Sequence, residues 1–370
     1  MVQKSEIKEP LKFQPILQSR IWGGDGLYRK LGKGNPTDQD IGESWELSDR
    51  ADFSTVVAEG TFAGQKFKDL FARHSRDILG SQYHPSLTTF PLLFKFIFAR
   101  EHLSVQVHPG EGSNLGDAKT ECWYILEAPP KGEIILGVRG SGGDANFNGE
   151  IDHKKTLAKL TGDDCYSALN RLPVKAGDLF FIPAGTVHAI TAGLLLFEVQ
   201  QNSDTTFRLY DWNRVDANGK GRTLHIRESS EVIDFRQHDE HLIEPLFIQY
   251  PSHREEFRIA CEFFAIVKYS QVKEPVNLEN GNRFRVLTGI SGSFQLLWEG
   301  GGGLVIGLGD TVLVPASCPN PRIHSLEENS ELLSSFVPKL EEEIFSPLRG
   351  AGYKNEAIRK LGGLEGLAKY

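Results

Sequence analysis

"GDLFFIPAGTVHAI", residues 177–190, and "GDTVLVPASCPN", residues 309–320, decide the fold between them. Each opens on Gly-Asp, runs through a short apolar stretch and reaches Pro-Ala. An apolar run of this length, closed by Pro and Gly, is a strand entering a tight turn. Its recurrence marks a repeated β unit. The copies part at their ends, where the first continues to His188 and the second carries Ser317 in place of Gly185 and Asn320 in place of His188.

The same texture spreads outward from both. "PLLFKFIFA" (91–99), "LSVQVH" (103–108), "CWYILEA" (122–128), "EIILGV" (133–138), "DLFFIP" (178–183) and "LLLFEVQ" (194–200) are apolar or alternating runs separated by Gly, Pro and Asp. After about residue 255 come "FRIACEFFAIVKY", "RFRVLTGI", "SFQLLWEG" and "TVLVPA". Many short strands with turn punctuation predict a mainly β protein of sandwich or barrel type, here two of them, with a few short helices. Helical spacing is confined to "GQKFKDLFARHSRDILG" (64–80), which ends on a Gly cap, and the shorter "DHKKTLAKL" (152–160). The polar stretches at 216–222 and 231–241 predict a passage between halves, with the boundary near residue 245: domains 1–245 and 246–370. The run "EGGGG" (299–303) reads as a hairpin tip, because it lacks the Lys-Ser/Thr ending of a phosphate loop.

A chain of 370 residues with 24% charged and 39% hydrophobic residues has an ordinary composition for a folded soluble protein. Its net charge of −8 argues against general binding to nucleic acid or anionic membranes, which need a basic face. A small anionic substrate stays open if a few cations converge locally. Cys122, Cys165, Cys261 and Cys318 form no CxxC pair and read as buried hydrophobes in a reducing compartment. With no signal-like start and no apolar run long enough to span a bilayer, the expected place is the cytoplasm. Nothing in the pattern distinguishes a monomer from a dimer.

The spacing Gly177-x5-Pro183-x-Gly185-x2-His188 is similar to the second consensus motif of the cupin superfamily, small β-barrels that hold a metal between strands. The copy at 309–317 then resembles the second half of a bicupin, with a barrel that is metal-free and structural. Where the first cupin motif has His-x-His and a nearby acid, this chain has Gln106-x-His108, then Lys119-x-Glu121. That combination, with "RIWGG" (20–24), "GESWELSDR" (42–50), "PLLFKFI" (91–97) and "NSDTTFRLYDWNR" (202–214), resembles the class I mannose-6-phosphate isomerases, zinc-dependent bicupins, in their shorter bacterial branch. The resemblance covers most of residues 15–215.

It implies one Zn²⁺ per chain held by Gln106, His108, Glu121 and His188. Strand periodicity sets Gln106 on the same face as His108, and an acid opening so apolar a strand as Glu121 does needs a partner. Two imidazoles, one carboxylate and one neutral oxygen leave room for a substrate atom, as a catalytic site requires; the donors alone would equally take Fe²⁺ or Mn²⁺. For the phosphate of a sugar phosphate the resemblance implies Ser104, Lys95 and Lys119. Lys95 in an apolar strand is costly unless it meets an anion, or else it faces solvent in an alternating strand. Arg208 and Glu198 match cleft positions. Arg208 would stabilise an enediolate, and Glu198 would transfer a proton or, alternatively, pair with Arg208 in a buried salt bridge. The proton-transfer base stays open among Glu198, Lys119 and a metal-bound hydroxide.

The implied activity is interconversion of mannose 6-phosphate and fructose 6-phosphate. Longer relatives read His-Lys-Pro-Glu before the acid ligand, where this chain has Ala118-Lys119-Thr120-Glu121, so no role of that His carries over. Two other classes remain in view, an iron dioxygenase on the same metal set and a non-catalytic sugar-binding regulator.

Overall fold

A computed structural model describes residues 6–139, 153–162, 164–215, 218–235, 242–278, 281–362 and 364. The chain is mainly β, as the punctuated runs predict, and its strands form two facing pairs of sheets that fit the jelly-roll expectation.

In the first half a five-stranded sheet runs in the order Leu169–Pro173, Glu133–Val138, His188–Ile190, Val105–Val107, Phe207–Tyr210. A six-stranded sheet runs Leu179–Ile182, Glu121–Glu127, Leu195–Gln201, Leu92–Phe98, Ile41–Leu47, Ile16–Gly24. Alternation of side chains explains how each sheet is used. Along Leu92–Phe98, Leu92, Phe94 and Phe96 join the core shared with the second half, whereas Lys95 and Ile97 face the space between the two sheets. Trp123 and Ile125 point inward with them, Cys122 and Tyr124 outward. The outer face of the five-stranded sheet is also covered. Val105, Val107, Ala189 and Leu209 pack beneath the helices His153–Leu160 and Cys165–Ala168. The central strands of both sheets are therefore covered on both faces, and a polar residue on an inner face must find a partner.

In the second half an eight-stranded sheet contains Arg254–Ala260, Ala265–Ser270, Glu331–Phe336, Arg285–Ser291 and Thr311–Val314, and a four-stranded sheet faces it. Two strands from early in the chain complete the larger sheet: Leu11–Gln14 pairs with Thr311–Val314 on one side and with Val56–Val57 on the other. The helix Phe67–Leu79 lies in the 64–80 stretch and puts Phe67, Leu70, Phe71 and Ile78 into the shared core. The glycine run is a hairpin tip, between Phe294–Leu297 and Gly303–Ile306. Residue 152 of the shorter helical stretch and residues 216–217 and 236–241 of the polar stretches lie outside the described residues. Among the described residues no helix is long and apolar enough to cross a membrane.

The repeated turns share their entry and differ in their exit. Gly177 and Gly309 both adopt positive φ, at 87° and 82°. Gly185 does so again at 86°, a region a side chain adopts rarely, whereas Ser317 is not among the positive-φ residues. The second turn instead packs on the helix, its Ala316 and Ser317 amides donating to Ile78 and Asp77 carbonyls at 3.0 Å. Asn320 is exposed and donates to Glu299.

Candidate metal and sugar site

Gly185 begins the construction. Its N–H donates to the His108 carbonyl at 2.9 Å, so the first turn fixes the residue that follows the Val105–Val107 strand. Register then sets a row across the five-stranded sheet, Leu136 opposite His188, His188 opposite Gln106, Gln106 opposite Arg208. A second row crosses the six-stranded sheet, Trp45–Lys95–Glu198–Trp123. The rows face one another across a cavity of about 410 Å³ lined by Gln106, Arg208, Lys95, Glu198, Lys119 and Ser104, with others.

One end gathers lone pairs. His108 Nδ1 donates to the Thr205 carbonyl and His188 Nδ1 to the Thr186 carbonyl, each at 2.8 Å. A carbonyl can only accept, so both rings carry a proton on Nδ1 and turn Nε2 inward. Between them lies Glu121, fully buried, with Oε1 3.4 Å from His188 Nε2 and Oε2 3.7 Å from His108 Nε2. The three donor atoms lie within 4.8 Å of one another. The Gln106 amide reaches His188 Nε2 at 3.2 Å, and half a turn about its terminal bond brings the oxygen to the same place. Burial, then Lys119 and His188, push the His108 pKa well below its usual value, so this imidazole is neutral. Acceptors converging in a dry place repel unless a cation joins them, and neutral imidazoles oriented by backbone carbonyls suit a divalent metal. The residues fit the ion.

The cation present is Lys119, 2.7 Å from Glu121 Oε2, 3.2 Å from His108 Nε2 and 4.0 Å from Glu198 Oε1. Burial lowers its pKa, but Glu121 and Glu198 outweigh burial and hold it above the usual value. Lys95 is buried rather than solvent-facing, because its strand has no solvent face. It lies 3.4 Å from Glu198, 3.9 Å from Glu43 and 4.6 Å above the Trp45 ring. Glu198 accepts from Trp123 Nε1 at 3.1 Å; its ion-pair partners are the two lysines, and the alternative Glu198–Arg208 bridge is not formed. Arg208 belongs to the opposite sheet and donates to the Thr223 carbonyl at 2.8 Å. Ser104, buried, lines the same cavity.

Sequence reasoning missed Arg20, Glu43 and Trp45. Arg20 holds Glu43 along one guanidinium edge, through Nε at 2.9 Å and Nη2 at 3.2 Å, and Trp45 Nε1 donates to Glu43 at 2.7 Å. Burial raises the Glu43 pKa, yet Lys95 and Arg20 overcome it and bring it down to about 2. The signal was available, since "RIW" and "ESW" alternate charged and aromatic residues on one strand face. Arg222, also missed, lines the cavity near Arg208.

The profile of the phosphomannose isomerase type I catalytic domain matches residues 11–147. The mannose-6-phosphate isomerase of Streptococcus mutans is 32% identical over 78% of this chain and 87% of its own length. The mannose-6-phosphate isomerase ManA of Bacillus subtilis is 34% identical over 78% of this chain and 88% of its own. Among solved structures, that of a Bacillus subtilis mannose 6-phosphate isomerase superposes with a TM-score of 0.77 at 28% identity, covering 89% of this chain and 99% of that one. A mannose 6-phosphate isomerase bound with zinc and yttrium shares the fold, with a TM-score of 0.68 at 17% identity over 89% of this chain and 99% of that one. A shared fold, a buried three-donor centre and relatives matched over most of their length agree: the chain belongs to the type I mannose-6-phosphate isomerase family.

Proposed function

We propose that the cavity interconverts mannose 6-phosphate and fructose 6-phosphate through an enediolate, with one Zn²⁺ held by Gln106, His108, Glu121 and His188. The observation that carries this reading is the pair of imidazole Nε2 atoms turned on a buried carboxylate at one end of a polar, sugar-sized cavity. When bound, the metal supplies Lewis acidity that lowers the barrier to removing a proton beside a carbonyl.

The other work falls to this chain's side chains. Arg208 is the neighbour of Gln106 in register and offers a fixed cation to the negative oxygen that develops. Glu198 moves the proton between adjacent carbons. Of the two acids on the inner face of the six-stranded sheet that line the cavity, Glu43 is clamped by Arg20, whereas Glu198 Oε1 makes no hydrogen bond to the described residues. A positioned carboxylate of this kind contributes roughly 10²–10⁴-fold. Lys119, ion-paired with Glu121, donates to a sugar oxygen and keeps the two carboxylates near it from repelling. Ser104 offers a hydroxyl toward the phosphate, and Lys95 and Lys119 make the cavity wall electropositive for it. Distant phosphate contacts hold the sugar in register. The cavity is lined wholly from residues 1–245, so we give 246–370 a supporting role without a metal.

The test incubates metal-loaded protein with fructose 6-phosphate and follows mannose 6-phosphate. Product at a rate proportional to bound metal supports the reading; none, with metal present, refutes it.

A further inference from the structure

Two guanidinium groups share one carboxylate beside the cavity, and a third, Arg208, lies close to them. Asp211, 5% exposed, accepts from Arg214 Nη2 at 2.5 Å and from Arg222 through Nη2 at 2.5 Å and Nε at 2.8 Å. Arg208 comes to the same place, because the segment that carries Arg222 is tied along its strand. Arg208 Nη1 donates to the Thr223 carbonyl, and the His225 N–H donates to the Arg208 carbonyl at 2.7 Å.

Elsewhere in the cavity each cation has its own acid: Arg20 has Glu43, Lys95 has Glu198, Lys119 has Glu121. At the arginine end, positive charge exceeds what Asp211 neutralises. Like charges crowded in a half-buried place are costly unless an anion meets them. The rim acid Asp204 is exposed, where water and salt screen it.

The arginines are not equivalent. Arg214 is spent on the protein, its Nη1 donating to the His102 carbonyl and its Nε and Nη2 to Asp211. Arg222 uses only Nε and Nη2, its Nη1 makes no hydrogen bond to the described residues, and its side chain lines the cavity at 30% exposure. It is a guanidinium clamped along one edge and open along the other, the geometry that takes a phosphate through paired N–H donors. Ser104 is held on this side as well. Trp212 Nε1 and Arg214 Nη1 bond the carbonyls of Leu103 and His102 just before it.

We propose that Arg222, oriented by Asp211, grips the substrate's phosphate, with Arg208 left to the reacting oxygens. The inference rests on the sugar-phosphate isomerase reading, and adds to it the residue that selects phosphorylated over free sugar.

The experiment titrates metal-loaded protein with sorbitol 6-phosphate and with sorbitol, neither of which can isomerise, on the wild type, Arg222→Gln and Arg222→Lys. Losing one charged pair of hydrogen bonds should weaken sorbitol 6-phosphate roughly 10–100-fold in Arg222→Gln and leave sorbitol unchanged. Arg222→Lys, which keeps the charge without the fork, should fall between. Should Arg222→Gln not fold, judged by circular dichroism and metal content, the lysine variant alone decides, by a loss of severalfold confined to the phosphorylated ligand. Sorbitol 6-phosphate binding within twofold of wild type in the folded variant, equal losses for both ligands, or no preference for the phosphorylated ligand in the wild type would overturn the proposal. A wild type that binds sorbitol 6-phosphate through Arg222 but leaves fructose 6-phosphate unchanged defeats the isomerase reading alone.

Discussion

Glu198→Gln separates the chemistry of Glu198 from its place in the fold. The amide keeps the volume and an acceptor for Trp123 Nε1, and removes one negative charge and one proton-accepting oxygen. That charge lies 3.4 Å from Lys95 and 4.0 Å from Lys119. At an effective dielectric of about 20 these contacts correspond to gross attractions of about 5 and 4 kcal/mol. Most of that is returned when the buried carboxylate no longer has to be desolvated, and Lys95 retains Glu43 and the Trp45 ring. A net loss of about 3 kcal/mol follows, the low end for a broken buried pair, and a globular chain of this size tolerates it. The loss of kcat should be larger in effect, roughly 10²–10⁴-fold, or about 3–5 kcal/mol of barrier. The assay follows fructose 6-phosphate turnover per bound metal ion, beside a thermal melt of the same sample. A folded, metal-replete variant with kcat within tenfold of wild type would refute Glu198 as the proton carrier.

Other perturbations test other parts. His188→Ala removes a ligand outright, so metal affinity should fall by more than the roughly 10–100-fold that outer partners command, as metal analysis after dialysis will show. Gly185→Ala places a Cβ 3.0 Å from the Val232 carbonyl at a φ of 86° and disturbs the turn that holds His108; we expect about 1–3 kcal/mol of destabilisation by urea melt. Glu43, depressed from 4.5 to about 2, contributes stability that is present above pH 4.5 and lost as pH falls toward 2. Over that window Glu43→Gln should lose on the order of 3 kcal/mol less than wild type, measured by denaturant unfolding at each pH.

His108, His188, Glu121 and Arg208 were singled out through the family resemblance, to which the strand period added only that Gln106 shares a face with His108. Lys95 was legible only as a choice. Alternation says that neighbours point opposite ways, not which face is wet; here the second half of the molecule covers the phenylalanine face and the five-stranded sheet faces the lysine. The alternative pairing of Glu198 with Arg208 could not be judged from the sequence for a similar reason. Sequence order suggested Arg208, ten residues on, but sheet topology sends it to the opposite wall and brings Lys95 and Trp123 alongside. Asp211 joins two arginines from a turn and a loop, which no periodicity registers. The surface position of Asn320 was hidden too, since it depends on the helix against which the second turn packs.

The pairing of Leu11–Gln14 with Thr311–Val314 has a consequence for the order in which the molecule comes into being. As the chain leaves the ribosome, this strand can pair early with Val56–Val57, but its other edge must wait for a partner some three hundred residues behind it, while Ile16–Gly24, just past Pro15, joins the six-stranded sheet. Contacts so distant along the chain are slow to form. Until they do, an apolar strand edge stands open, a target for holding chaperones and for pairing with the wrong chain. The sheets that this stretch of chain joins are thus completed at different times, and crowded or heated cells should feel that delay before any loss of chemistry.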